Sequence, residues 1–125
     1  MSQARPSILI ADDDPLARLF VKNALEPAGM IAVEATGGQD ALAKFEALAP
    51  DLVILDIMMP EMNGYEVLEH MKADAELRHL PVIMISAVGE MESVVRCIEL
   101  GAEDYLPKPF DATLLRARVG ASLEK

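Results

Sequence analysis

The sequence predicts an α/β fold, a doubly wound five-stranded parallel sheet carrying five helices. Two observations predict it. Short apolar runs alternate with segments of helical period five times along the chain, the pattern of a parallel sheet covered on both faces. The composition is 52% apolar but only 4% aromatic, which supplies a core of Val, Ile, Leu, Met and Ala and excludes a disordered tail. At 125 residues the chain matches one domain, since domains commonly hold roughly 100–150 residues.

Each element has a local reason. Ser7-Ile8-Leu9-Ile10-Ala11 reads as the first strand. Asp14 and Pro15 suit the cap and first turn of the helix that follows, with Leu16, Leu19, Phe20 and Ala24 expected to face inward and an end near Pro27-Ala28-Gly29. Met30 to Ala35 reads as the second strand. Gly37-Gly38 opens a second helix with Ala41, Leu42, Phe45 and Leu48 on one face. Asp51-Leu52-Val53-Ile54-Leu55-Asp56 is an apolar run too short for a helix and suited to a central strand. After the Asn63-Gly64 turn signal, Val67, Leu68 and Met71 mark the third helix.

Pro81 to Ser86 is the fourth strand, with proline tolerated at its start. Met91, Val94, Val95 and Ile98 recur at helical spacing and define a fourth helix ending at Gly101, with Cys97 packed within it. Glu103-Asp104-Tyr105-Leu106-Pro107 is a short strand that Pro107 places at an edge. The last helix begins near Ala112 and packs through Leu115, Val119 and Leu123.

Charge and cysteine content narrow the function classes. Eleven Lys and Arg against 21 Asp and Glu give a net charge of −10, which repels a phosphate backbone and argues against direct nucleic-acid binding. The only cysteine, Cys97, has no partner for an internal disulfide and suits a reducing compartment. No apolar run approaches the roughly 20 residues of a membrane span, and the polar start Met1-Ser2-Gln3-Ala4-Arg5-Pro6 does not resemble a signal peptide. A cytoplasmic location with no membrane partner is expected. No phosphate-cradling glycine loop follows a strand, which disfavours a nucleotide-binding enzyme.

The polar residues fall in one place. Asp12 and Asp13 follow strand one, Asp56 ends strand three, Ser86 ends strand four and Lys108 follows strand five. Open parallel sheets bind ligands at the carboxyl ends of their strands. If strands one and three are neighbours, as in the order 2-1-3-4-5, the three carboxylates Asp12, Asp13 and Asp56 converge. Such a cluster repels itself unless a cation is supplied. An oxygen-only donor set suits a hard ion such as Mg²⁺, which binds carboxylates together with phosphate oxygens. Asp56 could then attack a phosphoryl group while Ser86 and Lys108 steady its oxygens, leaving an aspartyl phosphate. Each residue alone has a plain structural role as a cap, a strand-end hydroxyl or a loop lysine. Three residue types placed at four strand ends carry the argument.

Asp12-Asp13, the segment Leu55 to Gly64, Ser86-Ala87 and Leu106-Pro107-Lys108-Pro109-Phe110 together resemble the receiver domains of two-component response regulators, of the chemotaxis-regulator type. The resemblance covers nearly the whole chain and implies a flavodoxin-like fold. It implies that Asp56 is the phosphoacceptor, that Asp13 binds Mg²⁺ directly, that Asp12 acts through water, and that the Met58 carbonyl is a further ligand. It implies that Ser86 and Lys108 hold the phosphoryl oxygens, that the Lys108-Pro109 bond is cis, and that Ser86 and Tyr105 switch the surface of helix four, strand five and helix five. The partner implied is a sensor histidine kinase or phosphotransfer protein; a homodimer is compatible with it. Met58 and Val88, each two residues beyond a site residue, depart towards apolar character and bear on phosphoryl lifetime.

Met30, Met58, Met59, Met62, Met71, Met84 and Met91 are scattered and read mostly as packing. His70 and His79 lack a second nitrogen or sulfur ligand at useful spacing and read as surface residues. Two other functions compete. A haloacid-dehalogenase-like phosphohydrolase wants a carboxylate two residues after its nucleophile, where this chain has Met58. A pseudo-receiver acting only as an interaction module would not need Asp13, Asp56, Ser86 and Lys108 together. The last helix runs to Ser122-Leu123-Glu124-Lys125 without a stop signal, so one receiver domain over 1–125, followed by a covalently linked output domain, is expected.

Overall fold

The computed structural model describes residues 5–87 and 91–124. Val88 and the terminal residues lie outside them. Five strands, β1 (Ser7–Ala11), β2 (Ile31–Ala35), β3 (Leu52–Asp56), β4 (Val82–Ser86) and β5 (Asp104–Pro107), alternate with helices α1 (Pro15–Leu25), α2 (Gly38–Leu48), α3 (Gly64–Ala73), α4 (Met91–Glu99) and α5 (Ala112–Leu123). All strand pairings are parallel, in the order β2-β1-β3-β4-β5. This is the predicted doubly wound, flavodoxin-like architecture.

Strand periodicity divides the core in two. Leu9, Val53, Leu55, Val82 and Met84 face Ala41 and Phe45 of α2, Val67, Leu68 and Met71 of α3, and Cys97 of α4. Their neighbours Ile8, Ile10, Leu52, Ile54, Ile83 and Ile85 face Val21, Ala24 and Leu25 of α1 and Leu115 and Val119 of α5. β3 and β4 are buried at every residue, as strands covered on both faces must be.

Local signals set the boundaries. Asp14 caps α1 by accepting the N–H of Leu16 at 3.0 Å, with Pro15 in the first turn. A single 3₁₀ turn over Glu26–Ala28 follows, closed by Gly29 at φ 90°, a conformation glycine adopts without penalty. Asn63-Gly64 is a helix start: Asn63 accepts the N–H of Glu66 at 3.0 Å while the Glu66 carboxylate accepts that of Asn63 at 3.1 Å, a reciprocal capping box.

The expected faces of α1 and α2 are corrected in part. Leu16, Leu19 and Phe20 are exposed, and α1 is buried through Val21, Ala24 and Leu25. Leu48 is also exposed. On α4 the apolar stripe that identified the helix points outward at Met91, Val95 and Ile98, with Cys97 as its buried residue. Of the methionines, Met59, Met71 and Met84 are buried, Met30 and Met62 pack partly, and Met58 and Met91 are exposed. His70 and His79 are exposed. Among the described residues, no helix is long and apolar enough to cross a membrane.

Candidate functional site

Strand register assembles the site. Ala11 pairs with Leu55, so the residues that follow, Asp12 and Asp56, stand side by side at the switch point between β1 and β3 where ligands bind. Asp56 pairs with Ile85, placing Ser86 one step further on, and Ser86 pairs with Pro107, directly before Lys108. The Lys108 backbone N–H donates to the Ser86 carbonyl at 2.8 Å, and the Lys108–Pro109 peptide is cis.

Asp12, Asp13 and Asp56 each bring one carboxylate oxygen to within 4.8 Å of the others. Asp12 and Asp56 are buried while Asp13 faces solvent. Lys108 enters from β5, its Nζ 2.8 Å from Asp12 Oδ2 and 3.6 Å from Asp56 Oδ2. Burial, and then the charge of Asp12, push the Asp56 carboxyl up to about 7, against the opposing pull of Lys108. Burial also disfavours the Lys108 ammonium, but its hydrogen bond to Asp12 and the charges of both carboxylates outweigh this and raise its pKa. One lysine therefore leaves the carboxylates undercompensated. All-oxygen donors with surplus negative charge fit a hard divalent cation.

β3 is held firmly behind the Asp56 carboxylate. Ile57 donates to the Ile85 carbonyl at 3.0 Å, and Gly64 donates to the Ile57 carbonyl at 2.9 Å. A Cβ on Gly64 would stand 2.3 Å from the Asp56 carbonyl oxygen, so only glycine allows α3 to start there. The Met58 N–H approaches Asp56 Oδ1 at 3.4 Å, and the Met58 side chain is 61% exposed beside the site.

Ser86 is buried and faces away from Asp56 by strand alternation, towards the core shared by α3 and α4. Tyr105 is half-buried against that same core. Burial raises the Tyr105 phenol, and a hydrogen bond with the Ser86 side chain pulls it the other way. The structure thus brings Asp12, Asp13, Asp56 and Lys108 into one cluster and links Ser86 to Tyr105 at its border.

Sequence reasoning missed Arg18. From α1 its guanidinium donates to the Asp12 carbonyl at 2.6 Å and to Glu34 Oε1 at 3.0 Å. A contact from a helix side chain to a loop carbonyl leaves no mark in residue spacing.

Comparison with known proteins agrees with the fold. Residues 8–120 match the family model described as the response regulator receiver domain. The chain is 38% identical over 120 residues to the "DNA-binding dual master transcriptional regulator RpaA" of Synechocystis, covering 96% of this chain and 50% of that one. It is 39% identical over 119 residues to the "Phosphate regulon transcriptional regulatory protein PhoB" of Pseudomonas aeruginosa, covering 95% and 52%. The chain thus spans about half the length of these curated relatives. Among solved structures, the chemotaxis protein CheY4 of Vibrio cholerae superposes with a TM-score of 0.90 at 28% identity, covering 95% of this chain and 99% of that one. With the family model spanning nearly the whole chain and the strand-end acids where such a fold binds its ligand, this protein belongs to the receiver-domain family of two-component response regulators.

Proposed function

We propose that this receiver domain accepts a phosphoryl group on Asp56 from a sensor histidine kinase or phosphotransfer protein, with Mg²⁺, in the cytoplasm. The observation that carries the reading is the convergence of three carboxylate oxygens within 4.8 Å with Lys108 reaching two of those residues. A carboxylate oxygen of Asp56 attacks phosphorus in line as the bond to the donor nitrogen breaks, and an acyl phosphate forms on the side chain. When bound by Asp12, Asp13, Asp56 and the Met58 carbonyl, the divalent ion supplies positive charge to the phosphoryl oxygens. Lys108 donates to one of those oxygens from the far side. The hydroxyl of Ser86 turns to another, exchanging its bond with Tyr105, and the surface of α4, β5 and α5 changes with it.

The domain in this reading catalyses its own phosphorylation and dephosphorylation and turns over no other substrate. A transcriptional output resembling those of RpaA and PhoB would require chain beyond these 125 residues, because a net charge of −10 opposes DNA contact. Incubation with Mg²⁺ and acetyl phosphate, followed by intact mass measurement, tests the reading. One phosphoryl adduct is expected, absent in Asp56→Asn. No adduct, or the same adduct in the variant, sinks it and leaves an interaction module.

A further inference from the structure

We propose that Arg18 is a positioning residue that sets the Asp12–Asp13 peptide plane and thereby aims the Asp13 carboxylate at the cation site; this rests on the Mg²⁺ site proposed above. The loop after β1 is tied at several points. The Asp12 N–H donates to Ala35 of β2 at 3.2 Å, and the Asp14 N–H donates to Asp12 Oδ1 at 3.0 Å. What these bonds do not hold is the carbonyl that follows Asp12. Arg18 holds it, at 2.6 Å. That carbonyl belongs to the peptide whose nitrogen is Asp13, so holding it fixes the plane that carries the Asp13 nitrogen and Cα, from which the side chain departs. Asp13 is the exposed member of the three acids, with the least packing to fix it otherwise.

The guanidinium is itself held. Its Nε donates to Glu34 on β2 at 3.0 Å, and the side chain is only 12% exposed. Lys44 of α2 donates to the Glu34 carbonyl at 2.6 Å, which anchors that part of β2. A planar fork can satisfy a carboxylate and a carbonyl together, and a lysine cannot reproduce its geometry. Partners that orient metal ligands from behind typically change affinity by roughly 10–100-fold when removed.

Two effects of Arg18 on cation binding oppose each other, and this makes the inference testable. As a nearby positive charge it repels Mg²⁺; as a support for the loop it favours binding. Isothermal titration of Mg²⁺ into the unphosphorylated domain separates them. Positioning predicts that Arg18→Met binds about tenfold more weakly despite having lost the repelling charge, and that Arg18→Lys, which keeps the charge but not the fork, is also weakened. Lys22→Met removes a charge from the same helix that reaches Glu34 at 3.8 Å and should bind as the unaltered protein does. Melting in chelator reports whether each variant folds, and Arg18→Lys carries the test if Arg18→Met does not. Tighter or unchanged binding in the Arg18 variants, or equal weakening in Lys22→Met, overturns the assignment. Absence of Mg²⁺ binding by the unaltered protein would instead overturn the proposed function.

Discussion

At the residue scale, Asp56 is held against its own ionisation. Its carboxyl lies at about 7 in the fold against 3.8 for the ordinary group, so between those values the unfolded chain releases a proton that the folded chain retains. Stability therefore falls as pH rises through that window, and the cost is fully present above it. Without Mg²⁺ at pH 8, Asp56→Asn should stabilise the fold by about 2 kcal/mol, read from urea titrations, and the gain should vanish near pH 4. A gain independent of pH would contradict the electrostatic cause. Gly64→Ala should do the reverse and destabilise by about 3 kcal/mol, since the new methyl would meet the Asp56 carbonyl. The acids, Ser86 and Lys108 were legible in the sequence because each follows or ends an apolar strand. Arg18 was not, because its role depends on the reach of a side chain across a loop.

At the element scale, strands were more legible than helix faces. A buried parallel strand is apolar on both sides, so β3 and β4 announce themselves whichever way they face. A helix with two apolar stripes does not say which one is covered. On α1, Leu16, Leu19 and Phe20 form one stripe and Val21, Ala24 and Leu25 another, and the second is buried. Phe20 meets the Phe110 ring edge-on at 5.7 Å beside the Lys108 loop. On α4 the small Cys97 lies against the sheet while larger side chains face outward. The difference is measurable. Leu25→Ala should cost about 3 kcal/mol, whereas Ile98→Gln or Met91→Gln should change stability by no more than about 0.5 kcal/mol, by chemical denaturation. A large loss at Ile98 would mean that α4 packs through its other face.

At the scale of the whole molecule, the sheet order decides what the chain can do. Placing β1 beside β3 brings the repelling carboxylates together, so that a cation bound to them as proposed would be linked to folding. Mg²⁺ should raise the melting temperature, and calorimetry should find tighter binding at pH 8 than at pH 6, because Asp56 must lose its proton to become a ligand. Equal affinity at both values would remove Asp56 from the ligand set. The topology was readable because alternating apolar runs admit few layouts. The pairing of Ser86 with Tyr105 depended on the side to which β4 turns its last residue.

The contact between Gly64 and the Asp56 carbonyl has a mechanical meaning. With α3 beginning directly on the main chain of Asp56, that side of the residue is closed. Under the proposed function, charge added to the side chain would be turned the other way, towards β4 and β5, and the smallest residue near the site would set that direction.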